Sequence, residues 1–217
     1  VQPKTIAIEE NVFDSLDSLS HLIASLVPLR AVSDGSNFCL DLSRLGQLGP
    51  DGATFLSGSV LEARSRGVSV SVVWPSLGPL LAFTQFSGMQ HLLDGVGLPN
   101  LRDPVNVTVP LRQFTQSRHT DVDPIIELMA RFVDVSEKLR DSLAIAVNET
   151  VQNIVDHSSS PVGGLGCARY VTKPLRGTVT IISGNTAVEA VGESGLRYSD
   201  VPVPFRGTAV CFTLPPG

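Results

Sequence analysis

Apolar residues recur at three- and four-residue steps in one long stretch of the chain. Leu139, Leu143, Val147, Val151, Ile154 and Val155 mark the buried face of a helix that opens at Ser136 and runs to about residue 157. Leu16, Leu19, Leu22, Ile23 and Leu26 mark an earlier helix over 14–26, capped by Asp14 or Ser15 and ended by Pro28. Phe55, Leu56, Val60, Leu61 and Ala63 are the inward residues of a helix over 53–66, with Gly67 as its stop. A further helical segment covers 77–93 and is interrupted near Gly88. Asp123-Pro124 opens one more, with Ile126, Met129, Ala130 and Val133 on its apolar side. Around these lie short β-type runs at 5–9, 37–42, 68–74, 105–109 and 167–171.

Strand and helix alternate up to about residue 95, which predicts an α/β layer. Gly95, Gly97, Pro99, Asn100, Pro104 and Pro110 then cluster and predict a boundary. Two domains follow, 1–104 and 105–217. Hydrophobic residues are 42% of the chain and charged residues 17%, which suits real cores; 19 Gly and 15 Pro make it rich in loops. The net charge of −5 comes without a basic run, so no electrostatic footprint for nucleic acid is present. No apolar stretch reaches the roughly 18 residues of a membrane span. The first residues, Val1-Gln-Pro-Lys4, lack signal-peptide form, and a cytoplasmic protein is expected. Cys39, Cys167 and Cys211 have no metal-ligand spacing and are expected as buried free thiols.

Candidate chemistry sits on the long helix. Glu149, Asn153 and His157 are spaced i, i+4, i+8. At about 100° per residue, successive members lie about 40° apart, so they form one polar stripe beside the apolar face. A stripe in that place can line a pocket between the helix and its cover. Asn offers a neutral oxygen suited to Mg²⁺ that already carries phosphates and waters. A Glu one turn earlier can orient or deprotonate a water or an acceptor hydroxyl. The same spacing also fits a half-exposed helix with a solvated polar edge.

The run from Asn148 to Ser158, Asn-Glu-Thr-Val-Gln-Asn-Ile-Val-Asp-His-Ser, resembles the N-box of the GHKL (histidine-kinase-like) ATPases. Gly177-Thr-Val-Thr-Ile-Ile-Ser-Gly184 resembles the penultimate strand of that family. The run from Arg206 to Pro215, with its Gly-Thr start and Leu-Pro finish, resembles the closing strand. The resemblance implies a two-layer α/β sandwich, ATP and Mg²⁺ as cofactors, Asn153 as the metal ligand and Glu149 as the catalytic residue. It sets His157 at the pocket edge and Thr208 at the nucleotide. No phospho-acceptor histidine motif occurs, so ATPase or serine kinase activity is implied, and histidine autokinase activity is not.

The first half resembles the STAS fold of anti-sigma-factor antagonists. The likeness is carried by Leu40-Asp-Leu-Ser43, Gly49-Pro-Asp-Gly52 and its helix, Arg66-Gly-Val-Ser-Val70 and Phe86-Ser-Gly-Met89. Asp51 falls where that family has a regulated serine. A carboxylate there carries a fixed charge of about −1, against about −1.5 to −2 for a phosphoserine. Asp51 is either a locked form of that switch or a helix N-cap.

The GHKL pattern also departs from the family. No Asp-x-Gly-x-Gly, whose Asp reads the adenine, occurs in the sequence, and Asp156 is the last acid before Glu189. Gly163, Gly164 and Gly166 either stand in for the phosphate-binding glycines or simply turn the chain from helix to strand. Lys173-Pro-Leu-Arg-Gly177 reads as a splice: a segment is absent there or the adenine-reading loop is lost. Two functions follow. One is a signalling protein that binds Mg-ATP. The other is a non-catalytic regulatory module with a degenerate nucleotide site. Both imply a protein partner in a regulatory cascade, no nucleic acid or membrane partner, and a homodimer as a candidate assembly.

Overall fold

Three short strands pair in parallel in the first half: β1 (Lys4–Ala7), β2 (Asn37–Asp41) and β3 (Ser69–Val73). The computed structural model describes residues 2–9, 16–32, 35–97, 106–115, 119–132, 137–157, 160–172, 175–183 and 209–214. Register aligns Ile6 with Leu40 and Val72, and Phe38 with Val70. Alternation along a strand then puts these residues on one face, where Ile6, Phe38, Leu40 and Val70 are buried. Helices α1 (Leu16–Ser25), α2 (Val27–Arg30) and α3 (Pro50–Ser65) follow β1 and β2, and α4 (Pro79–Phe86) and α5 (Met89–Asp94) follow β3.

The second sheet is an antiparallel meander of β4 (Asn106–Phe114), β5 (Gly164–Thr172), β6 (Leu175–Ser183) and β7 (Ala209–Leu214). Helices α6 (His119–Phe132) and α7 (Glu137–His157) connect β4 to β5. Pairing of β5 with β6 runs down to Thr172 opposite Leu175, with only Lys173 and Pro174 between them in the chain. The pairing of β4 with β5 shifts register between Val109 and Arg112. Pro110, which has no N–H to give a ladder, stands in that shift. Leu111 then donates its N–H to the Ser87 carbonyl at 2.7 Å, a tie from the second sheet to the end of α4.

Both faces of the second sheet are covered. Val109, Phe114 and Ala168 lie in one cluster with Val122, Ile125 and Leu128 of α6 and Val147, Val151 and Ile154 of α7. Leu111 and Cys167 join the other cluster, which holds Ile6, Phe38, Leu40, Val70 and the α3 residues Ala53, Phe55, Leu56, Val60 and Ala63. Adjacent residues Cys167 and Ala168 point to opposite faces, as a strand requires. Helix α3 therefore lies between the two sheets. Its side toward β5 is built from small residues: a Cβ placed on Gly58 would stand 3.2 Å from Leu165 Cδ1. Small side chains allow that closeness, and a large one would overpack the site.

The chain is thus mixed α/β, as expected, and its first sheet is parallel. Several boundaries differ. Pro28 does not end the first helical stretch; it stands in the first turn of α2, after a break at Leu26. A proline lacks only an N–H that the first turn leaves unbonded anyway. Helix α6 begins at His119 and contains Pro124 in its interior. Strand β4 continues through Pro110 to Phe114 by means of the register shift. Strand β5 begins at Gly164 and not at Cys167. The boundary placed between 104 and 105 falls outside the described residues.

Candidate functional site

Helix α7 has 21 residues and one buried face, where Val147 and Val151 are 0% and 1% exposed. Polar residues near that face are satisfied within the helix. Asn148 Nδ2 donates to the Ala144 carbonyl at 2.9 Å, and Thr150 Oγ1 to the Ala146 carbonyl at 2.7 Å. On the outer side Gln152 Nε2 donates to Asp156 Oδ2. Glu149 and Asn153 are both exposed. The spacing does place them on one edge. Among the described residues that edge is open and is not roofed as a pocket. His157 closes α7; its side chain lies outside the described residues, as does all of Thr208.

One neighbour escaped the sequence reading. Ile145, one turn before Glu149, is 63% exposed. Ile145, Glu149 and Asn153 thus continue one stripe at four-residue spacing, apolar at one end and polar at the other. The available signal was that Ile145 falls off the repeat of the buried face.

The glycines are placed by β5. Gly163 has φ 68, and a Cβ there would stand 2.2 Å from the Phe114 carbonyl oxygen, so only glycine fits. Its N–H donates to the Ser160 carbonyl at 3.1 Å, and Gln113 Nε2 donates to the Val162 carbonyl at 2.7 Å. The turn after α7 is thereby fastened to the end of β4. Gly164 and Gly166 are buried residues of β5, opposite Phe114 and Arg112 on one side and Ser183 and Ile181 on the other. This is the turn-and-strand alternative, with the backbone committed to neighbouring strands.

Asp51 is half-buried in the first turn of α3, where a carboxylate is favoured by the helix dipole. It is not the N-cap; Gly49 is, with extended backbone and no side-chain cap bond. Of the thiols, Cys167 is buried, and Cys39 is free and half-buried. The Cys211 side chain lies outside the described residues.

Two other polar groupings are structural. Arg66 donates to the Leu29 and Arg30 carbonyls at 3.0 and 3.1 Å, which caps the end of α2. Glu62 lies 3.5 Å from Arg30 and 3.9 Å from Arg66, and Arg30 stands over the Phe55 ring. Burial lowers the Arg30 pKa, opposed by the charge of Glu62. At the end of β2, hydrogen bonds from Ser43 hold the Asp41 carboxyl below the usual carboxylate range.

No group of three His, Cys, Asp or Glu side chains suited to a metal occurs among the described residues. No described helix is long and apolar enough to cross a membrane. No protein-family model, curated protein or solved structure matches the chain.

Proposed function

We propose that this chain is a regulatory signalling protein that binds Mg-ATP at the exposed edge of α7, with a STAS-like first half and a GHKL-like second half. The observation that carries the reading is the shared edge of Glu149 and Asn153 on a helix whose other face is buried on an antiparallel sheet. The chain order of α7, β5, β6 and β7 agrees with the three family-like segments. Asn153 is a single neutral donor, so it fits an Mg²⁺ ion whose remaining ligands are phosphates and waters. With Mg-ATP bound, the ion supplies charge neutralisation at the phosphates. Glu149 takes a proton from the attacking water or acceptor hydroxyl. Ile145 offers an apolar contact at the far end of the stripe. The remaining members of the nucleotide site are His157 at its edge and Thr208 at the nucleotide, and the proposal includes a protein partner and a homodimer.

Titration calorimetry with Mg-ATP tests the binding, and phosphate release tests the turnover. Asn153→Ala is expected to weaken binding at least tenfold. Glu149→Ala is expected to abolish turnover with binding kept. Equal affinity in the first variant, or unchanged turnover in the second, removes that residue from its role.

A second reading has its own observations. The sequence holds no Asp-x-Gly-x-Gly, and Gly164 and Gly166 belong to a strand. A site without its adenine carboxylate leaves polar groups of the base unmatched, which typically costs about 1–3 kcal/mol. On this reading the second half is a docking module for a protein partner and has no turnover. Absence of Mg-ATP heat with the wild-type chain selects it.

A further inference from the structure

Strand β5 carries α3 on one face and α7 on the other. On the first face, Thr54 Oγ1 lies 3.2 Å from Cys167 Sγ, and the same sulfur lies 3.4 Å from the Pro50 carbonyl oxygen. Thr54 also donates to that carbonyl at 2.6 Å. The first turn of α3, the thiol and the strand therefore form one buried polar contact. One residue further, Ala168 is 0% exposed in the cluster that holds Val147, Val151 and Ile154 of α7. A single peptide unit separates the two contacts. Four residues back from Cys167 is Gly163, in the turn that leaves α7.

We infer that α3 is a built-in regulator of the α7 edge: its seat on β5 sets the position of α7, so events in the first sheet are transmitted to Glu149 and Asn153. Close-packed interiors pass displacement on and do not absorb it. Helix α3 has little free surface to take up a shift, since ten of its sixteen residues are buried. The Leu111 N–H to Ser87 carbonyl bond gives a second tie between the halves. A force that moves α3 along its axis must drag Cys167 or break its contacts with Pro50 and Thr54. The regulatory claim rests on the reading of α7 as the ligand edge; the mechanical coupling does not.

Native-state hydrogen exchange on the full chain tests both parts. Cys167→Ala removes the thiol bridge with little change in volume. It is expected to speed exchange of the amides of α7 and of β2 and β3 by a common factor, at least threefold. Faster exchange confined to α3 and β5, with α7 and the first sheet unchanged, overturns the coupling. Thr54→Val, which removes the hydroxyl contacts with Cys167 and Pro50 and leaves the Cys167–Pro50 contact, is expected to speed exchange in the same elements; faster exchange confined to α3 and β5 also overturns the coupling. In the ligand arm, Mg-ATP is expected to slow exchange in β2 and β3 as well as in α7. Protection of α7 alone overturns the regulatory claim. No binding to the wild-type chain defeats the proposed function, while the exchange results of the two variants still decide the coupling.

Discussion

Helices α3 and α7 lie on opposite faces of one sheet, yet they are built differently. Helix α7 has a buried face of Val147, Val151 and Ile154 and an open edge of Ile145, Glu149 and Asn153. Helix α3 has almost no open side: Thr54, Ser57 and Ser59 are buried along with Leu56 and Val60. The first construction leaves polar groups exposed. The second uses small side chains so that two sheets can approach one helix. A helix with an open edge and a helix that joins layers thus need different sequences, even on the same strand.

Substitutions at matching depths sharpen the contrast. The largest effect is expected for Leu56→Ala at the centre of α3. Loss of a fully buried leucine costs about 2–5 kcal/mol, read as a lowered midpoint in urea. Gly163→Ala comes next, at about 2–3 kcal/mol, because the alanine Cβ meets the Phe114 carbonyl and the positive φ disfavours it. That loss would show that the turn after α7 is held as tightly as α3. Asn153→Ala is expected to change stability by less than about 0.5 kcal/mol, since its side chain is exposed. A loss comparable to Leu56→Ala would erase the distinction between the two helices.

The smallest effect lies outside both helices. The Asp41 carboxyl titrates below its ordinary value when folded, so it adds stability fully above its unfolded pKa. That contribution is lost as pH falls through the lowered folded value. Asp41→Asn is expected to flatten the acid side of a stability–pH curve slightly and to leave neutral pH behaviour intact. An unchanged acid limb would remove Ser43 from this role.

The same contrast explains what could be read from the chain. The buried face of α7 was legible because Leu, Val and Ile repeat at helical spacing and polar residues do not interrupt them. The Glu149–Asn153 edge followed from the same period. The second buried side of α3 was not legible, because Thr54, Ser57, Gly58 and Ser59 read as polar or small and not as core. Gly164 and Gly166 read as loop for a related reason: glycine suggests a turn, while here it fills a strand covered on both faces. Pro28 and Pro110 read as breaks, and Pro124 as the start of a helix. One stands in a first turn, one in a register shift and one inside a helix, where tertiary packing overrides local preference. The exposure of Glu149 and Asn153 depends on what covers the helix, which spacing alone does not reveal.

The most direct measurement is the melting temperature of the full chain with and without Mg-ATP. A ligand that binds only the folded state at 100 times its Kd stabilises by about 2.7 kcal/mol. The expected result is a rise of several degrees that Asn153→Ala reduces. An identical melting temperature at millimolar Mg-ATP would contradict nucleotide binding at α7 and would leave the second half as a docking module.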